Sequence, residues 1–135
     1  EVFPFPPAAS TPAAHRLALE ALHALAVADR ESLEAIALMH VGKTCLGIVE
    51  NSLLSSWVRE PAMRLFLVVG DIRADVELCA RAAWSLTSSE EEPVALLGAQ
   101  AVANLAHRSS KLRKAFVDAG ILECLSELVV LSRSS

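Results

Sequence analysis

Residues 99–131 read AQAVANLAHRSSKLRKAFVDAGILECLSELVVL, and the order of signals in this stretch decides the fold. It opens inside an apolar, Ala- and Leu-rich run that predicts a helix from Val94 to about Ala106. Ser109 or Ser110 can then cap the free N–H groups of a short helix reaching about Asp118. Gly120 sits where a left-handed residue ends that helix, and Ile121 to Leu131 carries the next. Val129-Val130 is too short and too well embedded in helical spacing to be a strand. The stretch is helix, cap, helix, glycine, helix.

Working back toward the N-terminus, the same grammar recurs. Ser89-Glu90-Glu91-Glu92 has the form of a capping box, with an acidic first turn suited to the helix dipole. Before it, Ile72 to about Thr87 places Val76, Cys79, Ala80, Ala83 and Trp84 on one side, after a stop at Gly70 and a cap at Asp71. Glu60-Pro61 is expected to restart the chain, with a helix from Pro61 to Val69. Gly42 is expected to break the pattern, and a helix follows over about 43–55. Asp29 caps a helix over roughly 30–40, with Leu33, Ile36 and Ala37 inward. Thr11-Pro12 opens the first helix, whose apolar face from Ala14 comprises Leu17, Ala18, Ala21, Leu22, Leu25 and Ala28. Residues 1–11, EVFPFPPAAST, read as an extended, proline-rich arm, either a linker or frayed terminus or a segment whose Phe3 and Phe5 dock on a neighbouring surface, and residues 12–135 as one helical domain.

Composition agrees with an all-α chain. Of 135 residues, 53% are hydrophobic but only 4% aromatic, with no tyrosine, so β-favouring side chains are scarce. A net charge of −4 lacks the clustered Lys and Arg that neutralise phosphates, which argues against nucleic acid and against an anionic membrane surface. The densest basic group, Lys111, Arg113 and Lys114, reads as a solvated helix face. Apolar runs such as Leu65 to Val69 fall far short of the roughly 20 residues of a spanning helix. Cys45, Cys79 and Cys124 have neither disulfide-framework nor zinc spacing and read as small hydrophobes in a reducing compartment. An intracellular, cytoplasmic protein is expected. The first residue is Glu, so a cut from a longer parent or a removed N-terminal segment is expected too, and an organelle is open if a targeting peptide was lost.

Residues 99–131 resemble the armadillo repeat. The family motif A-x-x-A-L-x-N-L-A, a short helix, a small residue and Gly, then I-x-x-L-x-x-L is met by Ala99, Val102, Asn104, Leu105 and Ala106, by Ala119-Gly120-Ile121, and by Leu125 and Leu128. The segment Ala80-Arg-Ala-Ala-Trp-Ser-Leu-Thr-Ser is similar to the family's A-A-W-A-L-x-N, with Trp84 at its Trp position. An internal echo accompanies this: Leu25-Ala26 matches Leu105-Ala106 at 80 residues, and Leu33, Cys45, Leu46 and Val49 match Leu112, Cys124, Leu125 and Leu128 at 79. The resemblance implies a right-handed superhelical solenoid of about two to three irregular repeats. In family members that clamp extended peptides, an Asn on each third helix bonds the peptide backbone. Here only Asn104 fills that position; Ser88 and Ala24 stand at the others. Ser88 and Asn104 are 16 residues apart, so at least one repeat is truncated.

What the resemblance implies for function is a non-catalytic scaffold or adaptor. A solenoid leaves long solvated faces rather than a closed pocket, and such faces bind peptides, helices or domains. Trp84, Ser88, Asn104 and Arg108 are the candidate partner-contact residues, Trp84 being either a groove anchor or a core side chain; Trp57 reads as packed. The alternative is a structural subunit held permanently in a large assembly, where the hydrophobic composition and the Pro/Phe arm would be covered by neighbours. Enzymatic readings find little support. Val41-Gly42-Lys43-Thr44 has the tail of a phosphate-binding loop, but Ala37 stands where its first glycine belongs and the preceding segment is helical. His15, His23, His40 and His107 show no metal-ligand pairing, and Glu90 to Glu92 is a helix-start device. No catalytic residues, cofactor, metal or small-molecule substrate is expected, and the partners are proteins or neighbouring subunits.

Overall fold

A computed structural model describes residues 11–70 and 75–134, with side chains to residue 130. The arm residues Phe3 and Phe5, the cap at Asp71 and the helix start at Ile72 lie outside the described residues. The chain is all-α, and no strand occurs among the described residues. The helices are α1 (Pro12–Ala28), α2 (Arg30–Ala37), α3 (Val41–Glu50), α4 (Ser56–Val69), α5 (Val76–Thr87), α6 (Glu92–Ala106), α7 (Ser110–Asp118) and α8 (Ile121–Ser134).

Their contacts form two rows. In one, α1 touches α4 and α4 touches α6; in the other, α3 touches α5 and α5 touches α8. The rungs α3–α4 and α5–α6 tie the rows together. Short α2 lies against α1, α3 and α4, and short α7 against α5, α6 and α8. One contiguous core runs between the rows, through Leu46, Val49, Leu65, Phe66, Leu86, Leu105, Leu112 and Ile121, all fully buried.

The three-helix unit occurs twice. Helices α1, α2 and α3 start at residues 12, 30 and 41, and α6, α7 and α8 start at 92, 110 and 121, a constant separation of 80. The punctuation repeats as well. Asp29 caps α2 by accepting from Ser32 N at 2.7 Å, and Ser109 caps α7 by accepting from Leu112 N at 3.2 Å. That hydrogen bond holds the Asp29 carboxyl below its usual value. His40 and Gly120, also 80 apart, both have left-handed backbones, at φ of 58° and 83°. Only residues 70–75 separate α4 from α5, a stretch shorter than either α2 or α7.

Several boundaries differ from the sequence expectation. Helix α2 ends at Ala37, where His40 turns left-handed, rather than at 40. Gly42 breaks nothing: it lies buried in the first turn of α3, because a Cβ there would stand 2.8 Å from Gly70 Cα. Its lack of a side chain lets α3 meet the end of α4. Pro61 does not restart the chain either, since α4 begins at Ser56 and runs through it. Proline cannot donate to the carbonyl four residues back, which is that of Trp57. The Arg16 guanidinium of α1 donates to that carbonyl instead, and stands 5.2 Å from the Trp57 ring centroid. Trp57 is accordingly half exposed beneath an arginine rather than packed in the core. The box at Ser89 is also displaced: the N-cap of α6 is Glu91, Pro93 occupies its first turn, and Ser89 Oγ accepts from Glu91 N at 3.1 Å.

The largest correction concerns α1. Its buried residues are Leu19 and Ala26, with Leu22 partly buried. Of the expected inward face, Leu17, Ala18, Ala21, Leu25 and Ala28 are exposed, Leu17 by 66% and Leu25 by 53%. In α2, Ile36 is buried but Ala37 is exposed.

Three glycine-related substitutions test this packing in chemical denaturation. Gly98→Ala puts a Cβ 2.7 Å from Leu86 Cβ and Thr87 N, and should cost about 1–3 kcal/mol despite alanine's better helix propensity. Gly47→Ala meets nothing within 4 Å in mid-helix and should gain about 0.5–1 kcal/mol. His40→Gly relieves a left-handed non-glycine residue and should gain about 1 kcal/mol.

Candidate protein-binding groove

Helix α5 runs between α3 and α8 and presents Trp84 outward. Cys79, Ala80, Ala82, Ala83 and Leu86 bury the opposite faces, which leaves the indole 48% exposed. Trp84 borders a groove of about 740 Å³. The groove's walls come from the end of α3 (Glu50), the turn after it (Ser52), α5 (Arg81, Ser85) and the connection to α6 (Ser88 to Glu91).

At its floor lies Arg59, only 2% exposed. Its Nε donates to Val49 O at 2.9 Å and its Nη2 to Ser85 Oγ at 2.8 Å, while Ser85 Oγ donates to Glu50 O at 2.9 Å. The arginine thus satisfies Val49 O directly and Glu50 O through Ser85, a role suited to a cation at a helix C-terminus. Burial pulls its pKa below the usual value, and the nearby Glu91 carboxylate counteracts this. Arg81 is held differently, by an ion pair to Glu50 at 2.8 Å. With Glu50 so engaged, Glu90 and Glu91 make the mouth of the groove acidic beside an exposed indole.

The four sequence candidates are not brought together. Ser88 is the C-cap of α5, and its hydroxyl donates to Trp84 O at 2.6 Å, so Trp84 and Ser88 share the groove. Asn104 is exposed on α6, in the other row of helices, and does not line it. Arg108 follows α6 and donates to Leu67 O at 2.8 Å, clasping the last turn of α4. The short spacing of Ser88 and Asn104 has its explanation here: they sit on consecutive helices in different rows, not at equivalent places of successive repeats. Sequence reasoning missed Arg59. The signal was present, because Arg59 shares helical spacing with Ala62, Met63 and Phe66, and a charge inside an apolar stripe needs a partner.

Other candidates resolve into local roles. Lys114 pairs with Asp118 within α7 at 3.1 Å, and Arg113 donates to Ala106 O at the end of α6 at 2.6 Å, so both cations serve local helix contacts. Lys43 of the Gly42-Lys43-Thr44 stretch borders a second hollow, of about 770 Å³, together with Glu34 and Asp75, an acidic setting that disfavours phosphate. Cys45 and Cys79 are buried, and burial pushes each thiol up to about 12; Cys124 is half buried rather than core. Among the described residues no three His, Cys, Asp or Glu side chains are grouped closely enough to hold a metal. No single described helix is long and apolar enough to cross a membrane, and the α2–α3 pair is bent by 68° at its junction.

Arg59→Ala strips Val49 O and Ser85 Oγ of their donor inside the protein, and should cost roughly 2–4 kcal/mol in thermal or urea unfolding, against about 1 kcal/mol for Ser85→Ala. Comparison with known proteins finds no family model that matches the chain, no similar curated protein and no similar solved structure.

Proposed function

We propose that this chain is an armadillo-like solenoid segment that holds a protein partner at the groove beside Trp84 and performs no chemistry of its own. The observation that carries the reading is the indole of Trp84, held half exposed over an acid-rimmed groove. Exposed Trp is the side chain most often found where binding energy concentrates, because it offers a large rigid area at small entropic cost. The repeated three-helix unit and the two rows of helices support the solenoid part of the reading. The buried, unreactive thiols of Cys45 and Cys79 support work in a reducing, intracellular compartment.

The groove's chemistry narrows the partner. Its rim offers Glu90 and Glu91, and its wall offers the hydroxyls of Ser85, Ser88 and Ser89. A peptide segment with aliphatic stems ending in cations suits an indole face flanked by carboxylates. A second reading, a structural subunit fixed in a larger assembly, is favoured by a separate observation, the exposed apolar stripe of α1.

Selection of a displayed peptide library against the wild-type chain tests the groove. Enriched peptides should bind Trp84→Ala at least about tenfold more weakly at unchanged helicity, whereas Asn104→Ala, in the other row, should stay within about twofold. In a Trp57→Phe background Trp84 is the remaining indole, and its emission should shift on binding. Equal affinity for wild type and Trp84→Ala would remove the groove from consideration.

A further inference from the structure

We infer that the peptide segment held at Trp84 continues over the Ser88–Glu90 turn into a second hollow against α8, and seats there a side chain with an aliphatic stem and a cationic end. The inference rests on the reading of the Trp84 groove as a peptide site, and adds a second contact that sets which sequences are held. The two hollows share one wall. Ser88, Ser89 and Glu90, in the connection from α5 to α6, line the groove beside Trp84 on one side and a hollow of about 260 Å³ on the other. Across this second hollow stand Cys124, Glu127 and Leu128 of α8. A chain lying in the groove therefore has a turn, and not a helix, to pass before it meets α8.

The internal repeat shows that this side of α8 is an open side of the fold. Helix α8 is the counterpart of α3, 80 residues earlier. With α4 and α5 both packed against α3, its Gly42, Cys45 and Val49 are buried, while Thr44 and Gly47 stay exposed and Ile48 half buried. A Cβ on Gly47 would meet nothing within 4 Å. Thr44, Gly47 and Ile48 correspond to Cys124, Glu127 and Leu128. The α8 residues that line the hollow thus occupy positions this unit leaves open even where two further helices cover the rest. On α5, between them, Arg81, Trp84 and Ser88 are exposed as well. The α3–α5–α8 row keeps one side outward on every member, and both hollows lie on it.

The lining specifies what is seated. Leu128 and Cys124, each half buried, offer apolar surface, and Thr87 is buried with its hydroxyl spent on Ala83 O at 2.9 Å. Glu90 and Glu127 are exposed, and among the described residues neither is held in an ion pair. An aliphatic stem covers Leu128 and Cys124 while its ammonium or guanidinium reaches the carboxylates, so carbon is buried and the charge stays at the water's edge. A wholly apolar side chain would leave the two carboxylates without a counter-charge, and an acidic one would be repelled.

Cys124 reports on the second hollow directly. Cys45 and Cys79 are buried with their thiols pushed up to about 12, so brief iodoacetamide treatment at neutral pH labels Cys124, as peptide mapping checks. A saturating library-selected peptide should slow that labelling by at least about fivefold in wild type, and not in Trp84→Ala at the same concentration. Glu127→Gln should weaken the same peptides by at least about threefold, whereas Glu123→Gln, on the same helix but outside the hollow, should leave their affinity unchanged. Circular dichroism checks that both variants keep their helicity, and the labelling of wild type stands without them. Peptides that need Trp84 yet leave Cys124 labelling unchanged, or bind Glu127→Gln as tightly as wild type, overturn the second hollow and leave the groove standing. A selection that enriches no peptide dependent on Trp84 overturns both readings.

Discussion

Helix α4 could not stand without the arginines around it. Pro61 sits inside the helix and deprives the Trp57 carbonyl of its own-helix donor, a defect worth about 3 kcal/mol if nothing offsets it. Arg16 reaches from α1 to supply the missing donor. At the other end Arg108, just beyond α6, donates to Leu67 O. Arg59, from α4 itself, donates to Val49 O in the last turn of α3. The backbone groups that α3 and α4 leave open are thus met by cations from the helices packed beside them, and α1, α3 and α6 are each fixed in position by doing so. Because α3 holds one wall of the groove and α6 follows the turn that makes its rim, the setting of Trp84 depends on the same arrangement.

Local grammar was legible. Thr11 with Pro12, Asp29, Ser109 and Gly120 each do what their chemistry predicts, because caps and left-handed turns depend on a few neighbouring atoms. What failed was every reading that required a distant partner. Pro61 looks like a stop until Arg16, forty-odd residues away, is brought beside it. Gly42 looks like a break until Gly70 is placed against it. Arg59 drew no reading at all, because its partners Val49 O and Ser85 Oγ come from other helices. Of the candidate site, Trp84 and Ser88 entered through the resemblance, and they line one groove because they are neighbours on one helix. Asn104 and Arg108 belonged to the candidate set through resemblance alone, and the two-row arrangement separates them from the groove.

The misread face of α1 is a different kind of failure. Helical periodicity identifies a stripe that wants burial, and Ala14, Leu17, Ala18, Ala21 and Leu25 form such a stripe without ambiguity. Periodicity does not say that the cover is in the same molecule. On α6 the matching pattern is buried and on α1 it is bare, although the amino acids scarcely differ. The sequence statement and the solvent exposure are therefore both correct, because periodicity reports a tendency to burial and not what supplies the cover.

The two surfaces differ in the chemistry that would hold something against them, and that difference sorts their roles. The groove is lined by carboxylates, hydroxyls, two arginines and one indole, mostly polar groups that exchange water for a ligand at small net gain. Binding there is suited to turnover. The α1 stripe has no polar side chain among its five members, so leaving it bare costs free energy at every moment, in proportion to its area. Such a stripe favours lasting cover, as the groove favours exchange.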